Sequence, residues 1–201
     1  MNTAQPMTTD LYPSALTDIF QPNVNIAIWQ RRLESNVTDY AQYLMTEAPN
    51  LRARFIEEPQ KIADQLELKL PLTDNRQAFI DDVVLMVDMF SCLFDLQQVG
   101  LRIAILRTAM CPNFHVDRVP CRMICTYAGA GTQWHPPEQV QRLSNGKISL
   151  LSQAIPKNLH VGDVGILKGE AWEGNEGRGL VHRSPPASDI TPRIVLTLDI
   201  V

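Results

Sequence analysis

An apolar stripe between Thr73 and Gly100 makes the strongest demand on any fold of this chain. Phe79, Ile80, Val83, Val84, Val87, Phe90 and Phe94 recur at steps of three and four, which on a helix gathers them along one side. Thr73 or Asp74 can cap the start of that helix, which runs to about Phe94. So long a stripe needs a broad apolar surface opposite it, and a β-sheet is the natural cover. The sequence supplies one. Beyond Gly100, residues 102–108 alternate, 119–127 are rich in β-formers, 180–183 form a short strand and 193–201 a long one. Residues 160–167 read as a turn leading into a further strand, while Gly129-Ala-Gly131 and the glycine-rich stretch 174–179 punctuate the runs.

The first half is mainly helical by the same test. Leu33, Val37, Tyr40, Ala41 and Leu44 mark an amphipathic helix over 33–45. A second helix is expected over 51–58, with Pro59 opening another through Leu66. Ile26-Ala-Ile28-Trp29 suits an added strand, and residues 1–22, with three prolines and no period, are expected to be loose. The fold class is therefore α+β. Strands separated by Gly and Pro turns form a sandwich or barrel over 101–201, supported by the mainly helical part 23–100, in one integrated domain.

Composition narrows the function classes. A net charge of −4 gives no broad basic field, so nucleic acid is not an expected partner. No apolar run reaches the roughly 20 residues needed to cross a bilayer, so no membrane association is expected either. The polar first twelve residues do not resemble a secretory signal. Cys92, Cys111, Cys121 and Cys125 are then expected as reduced thiols in the cytoplasm.

The chemistry concentrates in His115-Val-Asp117, His182 and Arg193. Residues i and i+2 of a strand or its exit point the same way, so His115 and Asp117 can aim at one point and His182 can close the set from a distant strand. Imidazole nitrogen with carboxylate oxygen suits Fe(II), Mn(II) or Zn(II), and three protein ligands leave coordination positions open for substrate. Arg193 opens the last strand, where a guanidinium fork can grip a carboxylate through two parallel hydrogen bonds. His135 and His160 read as ordinary loop or surface residues, and Trp134 and Trp172 as packing. Cys121 and Cys125 lie too far apart on a strand to share an ion and read as core thiols.

This ordered set resembles the double-stranded β-helix of the Fe(II)/2-oxoglutarate-dependent dioxygenases over residues 101–201, a jelly-roll or cupin-like barrel. The resemblance implies His115, Asp117 and His182 as iron ligands and Arg193 as the partner of the distal carboxylate of 2-oxoglutarate. Many such enzymes carry a hydroxyl two residues after that arginine, where this chain has Val195. Thr197, further along the same face, or Tyr127 can supply the hydroxyl instead. The whole chain also resembles the bacterial DUF1826 family, through Asn25-Ile-Ala-Ile-Trp29-Gln-Arg31, His115-Val-Asp117, Cys125-Thr-Tyr127-Ala-Gly129 and the block from Gly162-Asp-Val to Val181-His182-Arg-Ser-Pro185. Members of that family are often encoded beside zinc-homeostasis genes, which implies a metal-related role.

The function expected from these residues is an Fe(II)- and 2-oxoglutarate-dependent oxygenase acting on a small molecule or a protein. The alternative keeps the barrel and binds Zn(II), as a metal-homeostasis protein or a zinc hydrolase of cupin-like fold. A barrel without a working site, serving only as an interaction module, is a third reading.

Overall fold

The computed structural model describes residues 7–143 and 147–201. Twelve strands run in the order β1 (Met7–Asp10), β2 (Ile26–Trp29), β3 (Arg52–Glu57), β4 (Val99–Leu106), β5 (Cys121–Ala128), β6 (Gln133–His135), β7 (Val140–Arg142), β8 (Ile148–Leu150), β9 (Lys157–Asn158), β10 (Val164–Lys168), β11 (Val181–Arg183) and β12 (Arg193–Ile200). The helices are α1 (Ser35–Glu47), α2 (Ile62–Glu67) and α3 (Arg76–Phe94), with short 3-10 turns beside them. The seven-stranded sheet has the order β1-β2-β10-β5-β12-β4-β3. Only its β1–β2 pair is parallel.

The stripe on α3 meets the cover it requires. Phe79, Val83, Val87 and Phe90 are fully buried against Leu101, Ile103, Met123, Cys125, Leu196 and Leu198 of the large sheet. The alternation of these strands sends their other residues the opposite way. Ala104, Leu106, Ile124, Leu167 and Val195 form a second apolar layer with Trp134, Leu159 and Leu180. That layer lies under a three-stranded sheet of order β11-β6-β9. Helices, large sheet and small sheet are thus stacked, with apolar contacts on both faces of the middle layer. The two sheets remain separate ladders among the described residues, linked where the Leu180 N–H, just before β11, donates to the Lys168 carbonyl of β10 at 2.9 Å.

Three expectations need correction. Residues 51–58 are not helical: β3 pairs along its whole length with β4. Six residues cannot nucleate a stable helix by themselves, whereas the alternation in Arg52-Ala-Arg-Phe-Ile-Glu57 lets Ala53 and Phe55 join the core as a strand. Residues 7–20 are not loose either. β1 adds to β2, and a 3-10 segment over Pro13–Phe20 buries Ala15, Leu16 and Ile19; residues 1–6 of that expected segment lie outside the described residues. Finally, α3 starts at Arg76 and no side chain caps it.

Candidate metal centre

His115, Asp117 and His182 converge, although 64 residues of chain lie between the last two. His115 lies outside the regular strands but makes an antiparallel bridge with His182 of β11. Each backbone N–H donates to the other's carbonyl, at 3.0 and 2.9 Å. The rings stand 4.6 Å apart between centroids. Asp117 follows in the loop, which Gly169 holds in place: a Cβ there would lie 1.9 Å from the Val119 carbonyl oxygen. The Glu170 N–H also donates to the Asp117 carbonyl at 2.9 Å.

Both imidazoles are oriented alike. Nδ1 of His115 lies 3.0 Å from the Asn113 carbonyl and Nδ1 of His182 lies 3.0 Å from the Leu180 carbonyl. A carbonyl can only accept, so each Nδ1 carries a proton, and Nε2 is the ring nitrogen that each histidine turns to the centre. Nε2 of His115 is 3.6 Å from Oδ1 of Asp117, and Nε2 of His182 is 3.5 Å from Oδ2. One donor atom from each of the three residues fits within 4.8 Å of the others. Ligands held about 2.1 Å from a shared ion sit about 3.0–3.4 Å apart, so the two His–Asp pairs need to close by only a fraction of an ångström.

The electrostatics favour a cation. The Asp117 carboxylate raises the pKa of His115. Burial holds His182 below its usual value. Burial alone would raise Asp117, but the His115 hydrogen bond and the charges of His182 and Arg122 outweigh it and draw the carboxyl down to about 2. Arg122 of β5 fixes the carboxylate by donating from Nη1 to Oδ2 at 2.7 Å, while its Nε and Nη2 grip Asp199 of β12. This orienting pair is absent from the sequence expectations. Its signal is there in principle, since Arg122 and Asp199 are cross-strand partners of opposite charge.

Arg193 lines the same pocket as His115 and His182. It is 1 % exposed, and no carboxylate pairs with it among the described residues. Nη2 donates to the hydroxyls of Thr126 and Thr132 at 3.1 and 3.2 Å, and Nε has no partner among the described residues. Burial lowers its pKa to about 10. Thr197 and Val195 line this pocket too. Tyr127 does not. A shift in the β5–β12 register beside it keeps Tyr127 and Ala128 together on the helix face, where the phenol donates to Asp82 at 2.6 Å and the ring packs on Phe79. The hydroxyls near Arg193 come instead from Thr126 and Thr132, neither singled out in the sequence.

His135 stays apart from the centre. It pairs in register with Val181 on the outer side of the small sheet, next to Gln139 and Phe114. Trp134 is buried between the sheets, and Trp172 packs on Phe20 and Phe94. All four cysteines are free, with Cys121 and Cys125 in the core. No helix among the described residues is long and apolar enough to cross a membrane.

The fold is shared with structurally known oxygenases. The dioxygenase for auxin oxidation 1 from Arabidopsis thaliana, in a binary complex with 2-oxoglutarate, superposes with a TM-score of 0.58 at 11 % identity, over 98 % of this chain and 92 % of that one. The rice dioxygenase for auxin oxidation gives 0.52 at 10 % identity, over 88 % and 73 %. A full-length Neurospora crassa protein, bound to alpha-KG and 5-formyluracil, gives 0.53 at 12 %, over 98 % and 84 %. At such identities the likeness is one of fold. No curated protein matches the chain in sequence. Residues 10–199 match the model of the family described as Protein of unknown function (DUF1826), and with nearly its whole length inside that match the chain belongs to this family.

Proposed function

We propose that the protein is an Fe(II)- and 2-oxoglutarate-dependent oxygenase, and that its two facing sheets are a compact double-stranded β-helix. One observation carries the reading. Arg193 holds an unneutralised charge at 1 % exposure, with an orphaned Nε, in the pocket that His115 and His182 also line. A buried cation without a counter-charge is costly, and a carboxylate supplied by a co-substrate relieves that cost. Two of the complexes in the fold comparison are named for 2-oxoglutarate or alpha-KG.

His115, Asp117 and His182 would hold the iron through two Nε2 atoms and a carboxylate oxygen, on one face only. Arg193 would grip the distal carboxylate of 2-oxoglutarate, with the Thr126 and Thr132 hydroxyls fixing the guanidinium. Thr197 lies along the same wall. Iron, when bound, lets dioxygen be split, one oxygen atom passing to succinate as 2-oxoglutarate loses CO2 and the other to a substrate C–H bond. Arg122 keeps Asp117 turned towards the ion by occupying Oδ2. Trp134, Leu106 and Val195 keep the interior beside the site apolar and exclude water. Four free thiols suit a reducing cytoplasm, where we place the protein.

The test is anaerobic addition of Fe(II) and 2-oxoglutarate to metal-free protein. A visible charge-transfer band is expected, lost in His182→Ala, with succinate released once air is admitted. Tight Zn(II) binding with neither band nor succinate overturns the oxygenase and leaves the zinc protein as the better reading.

A further inference from the structure

The metal centre takes up only part of the open face of the large sheet. At the sheet's edge, β3 pairs with β4 so that Arg52 lies beside Ala104 and Arg54 beside Arg102. Ala104 and Arg102 lie in turn beside Val195 and Thr197 of β12. Arg102, Val195 and Thr197 all line the pocket over the metal centre. Residues paired across strands share a face, so Arg52, Arg54 and Arg102 stand on the side that carries the metal ligands, while Ala53 and Phe55 turn to the helix side.

These three arginines are uncompensated. Arg52 and Arg54 are exposed, and none of the three pairs with a carboxylate among the described residues. Arg102 donates instead to the Met110 thioether at 3.4 Å. By contrast, Arg122 has Asp117 and Asp199, and Arg107 has Asp189. Like charges directly opposite each other in a sheet repel, and Arg54 and Arg102 are directly opposite. An oxyanion between them turns that repulsion into two charge-assisted hydrogen-bonding partners. With 2-oxoglutarate held at Arg193, the same pocket leaves little room for a second molecule, so most of a substrate lies outside it, on this face.

We propose that the β3–β4 face binds the carboxylate or phosphate of a small anionic substrate and so presents its reactive carbon to the metal. The proposal rests on the oxygenase reading above. The chain's net charge of −4 gives no wider basic field for a polyanion.

The experiment uses Zn(II)-loaded protein saturated with 2-oxoglutarate, titrated with inorganic phosphate or with acetate, while NMR follows the arginine Nε–H signals. Saturable shifts at Arg54 and Arg102 are expected, with the tighter probe identifying the class of anion. An Arg52→Gln/Arg54→Gln variant, which leaves the pocket lining untouched, with an unchanged amide spectrum should weaken that binding by about ten-fold or more, yet bind 2-oxoglutarate within roughly two-fold of wild type by calorimetry. Equal anion affinity in the variant, or anion binding that only competes with 2-oxoglutarate, overturns the proposal. Failure of both proteins to bind 2-oxoglutarate, with anion shifts at Arg54 and Arg102 intact, sinks the oxygenase reading and leaves the anion face standing.

Discussion

Arg193 is costly to the fold, and the proposed function gives that cost a use. Its pKa, lowered to about 10 by burial, corresponds to a burden on the order of 3 kcal/mol on the folded state at neutral pH. Replacement by Met, which keeps the bulk and removes the charge, should raise stability by about 1–2 kcal/mol in urea unfolding. The same variant should retain its metal and lose at least about ten-fold in 2-oxoglutarate affinity; unaltered affinity would remove Arg193 from the site. The buried thiols give a second, pH-dependent prediction. Burial raises Cys125 to about 11 and Cys121 to about 12, against an unfolded value of 9.0. Their neutral forms therefore stabilise the fold fully below pH 9, and this contribution fades as pH rises through 9 to about 11. Urea midpoints measured from about pH 8 to 11 should fall accordingly, and a Cys125→Ser variant should show a shallower fall. Of the site, His115, Asp117 and His182 were legible because the chain has only four histidines and their order with the aspartate is distinctive, and Arg193 because it follows that set at the head of the last strand. Thr126, Thr132 and Arg122 were not, because a threonine or an arginine within a strand announces nothing until its neighbours across the sheet are known.

Among the elements, legibility follows the range of the contacts that decide each one. α3 reads clearly because its stripe is set by neighbours three and four residues away. β3 reads locally as a helix, because its six residues become a strand only through β4, more than forty residues further on. Tyr127 escapes sequence reasoning for a related reason. A register shift between Ile194 and Val195 breaks the simple alternation of β5, and no local pattern marks it. The crossing from β5 into β6 makes a sharper test. A Cβ on Gly131 would sit 1.7 Å from the Leu159 carbonyl oxygen, and the Leu159 N–H donates to the Thr132 carbonyl at 3.0 Å. Gly131→Ala should cost about 2–3 kcal/mol in urea unfolding. By displacing Thr132 from Arg193 it should also weaken 2-oxoglutarate binding, a double effect that loss of packing elsewhere would not produce.

For the molecule as a whole, the apolar layers on both faces of the large sheet hold the fold together without help from an ion. Chelation should therefore leave the far-UV circular dichroism unchanged while lowering the melting temperature, and the loss should grow with the metal concentration used as reference. Collapse of secondary structure on chelation would contradict this. The backbone bridge between His115 and His182 carries a further consequence. Two of the three ligands are fastened to each other by main-chain hydrogen bonds before any ion arrives, so loading and unloading do not wait on a folding event. Exchange then runs at the pace of ligand substitution at the ion, and a protein built this way equilibrates with its surroundings. Under the proposed function, its occupant would follow the divalent ions on offer around the protein, and a shift in that supply would be felt directly as gain or loss of activity.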